Sequence, residues 1–478
     1  MTLRSVLLLL LAVLTQTFAF ASPTKVACIG DSITFGSGIK DRKNKAYPAQ
    51  LQALLGEDFE VKNYGVSAHT MLSKGDHPWI KHAAFKQALA FHPNVVIIKL
   101  GTNDVKPHNW KHQADLEADA TKLIESFRSL PTKPRILLCS PVPALTHSKK
   151  KPRYGIAGDI ISGQVKPRLM ALAQKLGVEF VDLHHELNLA GDQLASQLPD
   201  QIHPNAVGAA RIAKRLADQI HHPRIASIDL AAALKKRDID TKPETFGNFK
   251  GVSFKLPGSG AACRIIAPRM TTTEQRWIWR ARFWGHQPAL DQALLNRGFY
   301  VAYCDVSNLY GSPAATDRWD AFYQLTQALG MNSKPVLEGM SRGGLIIFNW
   351  AKKNPTQVSA IYGDNPVCDI RSWPMKRQGP DWQRCKKVWN LEDNAVADFS
   401  GNPIDGLKPV ADAKVPVFLV LGTKDDVVPL AENADILETN YLALGGKLTR
   451  WEKPNGKHHP HGLAPVYPLL DALLESTK

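Results

Sequence analysis

Short apolar runs recur along the chain, about four residues each and bounded by glycine or proline, and they alternate with stretches of helical period. Val26-Ala27-Cys28-Ile29, Val95-Val96-Ile97-Ile98 and Ile136-Leu137-Leu138-Cys139 are runs of the first kind; residues 47–55 and 116–130 are of the second. A strand apolar at every position is covered on both faces, so this alternation predicts βαβ units wound around a parallel sheet. A helix from Pro204 to about Gln219, with proline in its first turn, is expected to close the region. Periodicity then fades: residues 223–250 hold a basic pair and Asp238-Ile239-Asp240-Thr241-Lys242-Pro243, and they predict a linker. Strand-like runs resume at Val252, Arg264-Ile265-Ile266, Tyr300-Val301-Ala302-Tyr303, Val336-Leu337 and 417–421. The expected organisation is therefore an α/β domain over 22–222, the linker, and a second α/β domain over 251–478.

The first 21 residues differ from the rest. A short basic start is followed by an apolar run with five consecutive leucines (Leu7 to Leu11) and by Ala19-Phe20-Ala21, a small-x-small cleavage pattern. This predicts a signal peptide cut near Ser22, a secreted or periplasmic protein, and no integral membrane segment after its removal. Export makes nucleic acid an unsuitable partner for this chain, despite a formal charge of +15 from 59 Lys/Arg and 44 Asp/Glu. The excess is diffuse: 26 Lys/Arg against 18 Asp/Glu in 22–222, and 32 against 26 in 223–478. It reads as a general attraction for acidic surfaces or glycans, apart from the run Lys149-Lys150-Lys151-Pro152-Arg153. Of six cysteines, Cys28, Cys139 and Cys304 fall in strand-like runs, while Cys368 and Cys385 share a polar region in which one disulfide is expected.

Candidate chemistry lies at strand ends. Gly30-Asp31-Ser32 directly follows the first strand, at the sheet edge where open α/β folds place ligands. A serine hydroxyl becomes a nucleophile only when a base takes its proton and donors hold the developing oxyanion. Asn63-Tyr64-Gly65 offers a glycine amide, Gly101-Thr102-Asn103-Asp104 a carboxamide, and Asp200-x-x-His203 a base with its orienting carboxylate. In this order the four blocks resemble the SGNH (GDSL-type) hydrolase family, including sialate O-acetylesterase-like proteins. The resemblance implies a flavodoxin-like three-layer α/β/α fold over about 24–220. It also implies a triad of Ser32, His203 and Asp200, with the amides of Ser32 and Gly65 and the Asn103 side chain as oxyanion hole.

A second constellation begins at Gly339-Met340-Ser341-Arg342-Gly343, between a strand-like run and a helix-compatible one, the context of a nucleophile elbow. Gly422-Thr423-Lys424-Asp425-Asp426 follows a later buried strand and nominates Asp425 as the triad acid. Gly456-Lys457-His458-His459-Pro460-His461 supplies the base; His458 has the expected spacing to the final helix, with His459 and His461 as alternatives. This half resembles the α/β-hydrolase superfamily. The resemblance implies that the Arg342 amide is one oxyanion donor and that the other comes from the region 277–282, where no lipase-type His-Gly-Gly-Gly run is present. Nine of eleven tryptophans lie beyond residue 276, and Trp277, Trp279, Trp284, Trp319, Trp373 and Trp382 are candidates to border the second site and stack on sugar rings.

The sequence thus predicts a two-domain serine esterase needing no metal or cofactor. Its expected partner is an acylated glycan or another small ester. The rivals are a lipid esterase or lysophospholipase, a peptidase-like second domain, and a catalytic half joined to a silent glycan-binding half.

Overall fold

The computed structural model describes residues 22–145 and 152–477. The predicted signal peptide and Lys149 to Lys151 lie outside the described residues. Contacts divide the described residues into two compact units: those up to 181 with 198–217, and 182–197 with those from 218 onward.

The first unit is built on five parallel strands: β1 (Thr24–Gly30), β2 (Phe59–Gly65), β3 (Val95–Lys99), β4 (Arg135–Cys139) and β5 (Glu179–Val181). They are ordered β2-β1-β3-β4-β5. Every residue of β3 is buried, as a strand covered on both faces must be. The helix Leu116–Arg128 presents Leu116, Ala120, Leu123, Ile124 and Phe127 to the core, one face at helical spacing. Strand order reverses between β1 and β3, which opens a crevice at their carboxyl ends; Ser32 follows one of these strands and Asn103 the other. The closing helix is Ala206–His221 and begins after Pro204. The Asn205 side chain accepts from the amides of Val207 (3.0 Å) and Gly208 (3.1 Å), so Asn205 caps the helix in place of a first-turn proline.

The second unit carries a two-stranded ribbon, β6 (Arg224–Ala226) against β10 (Met270–Thr272), and a nine-stranded sheet. The sheet strands are β7 (Thr241–Phe246), β8 (Phe249–Lys255), β9 (Ala262–Ile266), β11 (Trp277–Arg280), β12 (Tyr300–Cys304), β13 (Val336–Met340), β14 (Ala360–Asp364), β15 (Val417–Gly422) and β16 (Leu448–Lys453). Their order is β16-β15-β14-β13-β11-β12-β9-β8-β7; the first six run parallel and the last three join antiparallel.

Two expectations about organisation are corrected here. Residues 223–250 are not a linker. They hold β6, the helix Leu230–Lys235 and the edge strand β7, and Leu230, Leu234 and Ile239 enter the large core. The alternating pattern of an edge strand with one wet face is weaker than the continuous runs elsewhere, which is why it reads as linker. Residues 182–197 also belong to the second unit. Glu186 there pairs with Arg297, both almost fully buried, and Leu189 packs with Phe246 and Leu290.

All six cysteines are free and buried, so the expected Cys368–Cys385 disulfide is absent. Each of the two packs as a small apolar side chain, in separate core clusters. Most of the tryptophans are also core. Trp279 stacks on Trp319 at 3.9 Å and meets Trp350 edge-on, and Trp277, Trp373 and Trp382 are buried, leaving Trp284 as the one partly exposed ring among the six candidates. Among the described residues, no helix is long and apolar enough to cross a membrane.

Candidate active sites

β1 ends at Gly30, where a Cβ would lie 2.6 Å from the Lys99 carbonyl, so only glycine lets β1 and β3 end side by side. Asp31 caps the following turn by accepting from the Ile33 amide at 3.0 Å, which leaves Ser32 as the first residue of the helix Ser32–Phe35. His203 Nδ1 donates to Asp200 Oδ2 at 2.7 Å, and its Nε2 then accepts the Ser32 hydroxyl at 2.8 Å. Asp200 Oδ1 takes the amides of Ile202 (3.1 Å) and His203 (2.7 Å), a local turn that explains the Asp-x-x-His spacing. Partial burial pushes the Asp200 carboxyl up, but the bonds from the His203 ring and from these amides outweigh it and hold the group below its usual range. Asp200 therefore stays ionised and fixes the tautomer that makes His203 a base toward Ser32.

The second site has the same logic on a different frame. Ser341 sits between β13 and the helix Gly344–Lys353 at φ 49°, the strained left-handed turn of an elbow. A Cβ at Gly339 would lie 2.7 Å from the Gly343 carbonyl, and one at Gly344 would lie 2.5 Å from the Val367 carbonyl, so these two glycines permit the turn. His458 Nε2 accepts from the Ser341 hydroxyl at 3.0 Å, and its Nδ1 donates to Asp425 Oδ2 at 2.7 Å. Asp425 Oδ1 accepts from the amides of Val427 and Val428. Burial again acts to raise the Asp425 carboxyl, and the His458 bond and these amides bring it below its ordinary value. The three-way choice of base resolves to His458: His461 Nδ1 is engaged at 2.7 Å by the buried Asp364, and His459 is exposed.

Residues 28–211 match the model of the GDSL-like Lipase/Acylhydrolase family. A curated relative, an acetylxylan esterase of Xylanibacter ruminicola, is 42% identical over 202 residues, which is 39% of this chain and 40% of that protein. The chain thus spans well under half the length of this relative. Among solved structures, the Mycobacterium smegmatis aryl esterase is 24% identical with a TM-score of 0.35, over 41% of this chain and 98% of its own. A carbohydrate acetylesterase of Sinorhizobium meliloti is 22% identical with a TM-score of 0.35, again over 41% and 98%. A puromycin-hydrolyzing peptidase of Mycobacterium tuberculosis is 13% identical with a TM-score of 0.40, over 48% of this chain and 39% of that one. Likenesses at these scores say nothing of activity.

Within the matched region, two of the expected oxyanion donors hold hydrogen bonds inside the protein. The Gly65 amide donates to Asn63 Oδ1 at 2.8 Å. Its glycine serves packing, since a Cβ would lie 2.3 Å from the Phe35 amide nitrogen. Three residues on, Ala68 holds φ 67°, and among the described residues its amide has no hydrogen-bond partner. Asn103 Nδ2 donates to the His69 carbonyl at 3.1 Å, beside Ala68.

Three further groups escaped the sequence reading. Lys99, fully buried at the end of β3, donates at 2.9 Å to both oxygens of the equally buried Asp31, the residue before Ser32, and to Thr102 Oγ1. A lone cation closing an all-apolar strand was its only signal. Asp104 accepts the amides of Met71 and Leu72 and so pins the 69–72 segment against Asn103; burial pushes its carboxyl up to about 6. In the second unit, Asn365 braces both triad loops, accepting from the Gly422 amide at 2.7 Å and donating to the His458 carbonyl at 3.1 Å. Arg342 lies at the start of its helical turn, where amides lack intrahelical acceptors. In the region expected to supply the other donor, the Ala281 amide is already taken by the Glu338 carbonyl at 2.9 Å.

Proposed function

We propose that the chain is an exported hydrolase of carboxylic esters with two serine sites, the first of which removes acetyl-type groups from a glycan. The observation that carries this reading is the unbroken relay from Ser32 through His203 to Asp200, at 2.8 and 2.7 Å, in a domain of an acylhydrolase family. His203 takes the Ser32 proton as Oγ attacks the ester carbonyl. The oxyanion is held by the Asn103 side chain and the amides of Ser32 and Gly65, and the alcohol leaves with the proton carried by His203. A water then repeats the sequence on the acyl-enzyme, releasing the acid and restoring Ser32. The acetylxylan esterase relative supports an acetylated polysaccharide as substrate.

For the second unit, the order β8-β9-β12-β11-β13-β14-β15-β16 and the elbow at Ser341 support an α/β-hydrolase domain acting by the same covalent route through His458 and Asp425. The apolar leader supports export. Single Ser32→Ala and Ser341→Ala chains, assayed on p-nitrophenyl acetate, p-nitrophenyl palmitate and acetylated xylan, test the reading. Each variant should keep part of the activity, with loss of xylan deacetylation confined to Ser32→Ala. Complete loss from either substitution alone would refute two independent sites, and preference for the long acyl chain would refute the glycan reading.

A further inference from the structure

Three imidazoles crowd the loop that carries the second catalytic base. The ring centres of His458, His459 and His461 form a triangle with every side 4.9 Å, and the rings meet nearly edge-on, at 77°, 78° and 86°. One ring nitrogen of each lies within 4.8 Å of one in each of the other two. The relay to Ser341 uses only His458. His459 is exposed, and among the described residues its ring makes no hydrogen bond. His461 is 4% exposed; its Nδ1 is committed to Asp364 at 2.7 Å, and among the described residues its Nε2 has no partner. His286, 5.9 Å from His461 and 6.1 Å from His459, stands outside the triangle.

Around a tetrahedral zinc ion, with each ligand at about 2.0–2.1 Å, two histidine nitrogens lie about 3.4 Å apart and their ring centres about 5 Å apart. The three rings already have that spacing, so binding needs them to turn about χ2, a soft torsion, rather than to move. A metal-ligating histidine commonly donates its other ring nitrogen to a carboxylate, which fixes the ring and raises its basicity. Asp364 does this for His461, and Asp425 for His458. Lys453 lies 3.8 Å from Asp364, a balancing cation that favours the ionised form of the buried carboxylate. The chemistry at Ser341 has no use for this second carboxylate–histidine pair.

We propose that His458, His459 and His461 form a binding site for a divalent ion of the zinc class, and that its occupation switches the Ser341 site off. His461 offers Nε2, His459 a ring nitrogen, and His458 the Nε2 that otherwise accepts from the Ser341 hydroxyl. The ion and the Ser341 proton compete for one lone pair. With the ion bound, Ser341 keeps its proton and has no base; no covalent bond forms or breaks, and removing the ion restores the relay. The switching rests on the reading of Ser341 as an ester-cleaving nucleophile, whereas the ion site does not.

The test uses the untagged Ser32→Ala chain, freed of metal with a chelator, so that Ser341 alone acts. Zinc chloride titrated in a calorimeter should fill one site, and Co²⁺ in its place should give the visible absorption of tetrahedral coordination. His459→Ala, at an exposed position, should weaken zinc binding about tenfold or more, and His461→Asn, which keeps a donor for Asp364, about as much. Hydrolysis of p-nitrophenyl acetate should fall with the midpoint that calorimetry gives. His459→Ala should raise that midpoint about tenfold, each rate being taken relative to the same variant's metal-free rate. Absence of saturable binding at about 0.1 mM free zinc, or a midpoint that neither substitution moves, would overturn the site. Binding through His459 that leaves turnover intact would refute the switch. A metal-free chain that cleaves no ester but still binds zinc through His459 would sink the esterase reading of Ser341 and leave the ion site standing.

Discussion

Lys99→Met removes the cation from a fully buried pair while keeping the length and most of the volume of the side chain. Lys99 makes three hydrogen bonds of 2.9 Å, two to Asp31 and one to Thr102, and neither Lys99 nor Asp31 has any exposed side-chain surface. Without the ammonium, Asp31 is an uncompensated buried charge whose one remaining hydrogen bond among the described residues is from the Ile33 amide. Breaking a buried pair from one side costs about 3–5 kcal/mol. In a unit of roughly 200 residues each kcal/mol lowers Tm by about 2–4 °C, so a fall of about 6–20 °C is expected. Asp31→Asn on the Lys99→Met background removes the stranded charge but keeps an oxygen for the Ile33 amide, and it should recover most of the loss. Calorimetric unfolding of the wild type, both single variants and the double variant closes the cycle. A loss below about 1 kcal/mol for Lys99→Met, or a double variant no better than the single, would show that the pair does not hold the Ser32 turn.

Three other outcomes follow from particular contacts. Asp425→Asn leaves the hydrogen bonds to Val427 and Val428 available but fails to fix the His458 tautomer; Ser341-dependent kcat should fall about 10⁴-fold, with Ser32-dependent turnover unaffected in the same preparation. Gly65→Ala should destabilise by about 1–3 kcal/mol through overpacking against Phe35, whereas Ala68→Gly, which relieves a left-handed alanine, should fold at least as well and retain acetyl esterase activity; denaturant titration and initial rates check both. Asp104 has a folded value of about 6 against an ordinary 3.8, so the native state binds the extra proton between those values. Its contribution is therefore most favourable below pH 3.8 and declines as pH rises to about 6, by on the order of 3 kcal/mol. Unfolding free energies measured across that range should show this slope, and Asp104→Asn should flatten it.

Periodicity and residue type made much of this legible. The runs at 26–29, 95–98 and 136–139 lie within three of the five strands of the first sheet, and the helix-period stretch 116–130 became Leu116–Arg128. Ser32, Asp200 and His203 stand at strand and helix ends whose positions follow from the same periodicity, and the structure brings them together. The misreadings share a cause. The 223–250 segment, the tryptophan group and the Cys368–Cys385 pair were each judged on local composition, which does not distinguish a residue serving a neighbouring element from one serving a ligand.

By itself, then, the sequence determined the strand–helix alternation of both units and the residue types able to act at their carboxyl edges, because apolar period and turn chemistry are local properties. Tertiary structure decided which histidine meets Ser341 and that residues 182–197 pack with the second unit. Those outcomes depend on groups tens to hundreds of positions apart in the chain, such as Asp364 with His461 and Ser32 with His203. Their pairing is set by the register and order of strands, which no local pattern encodes.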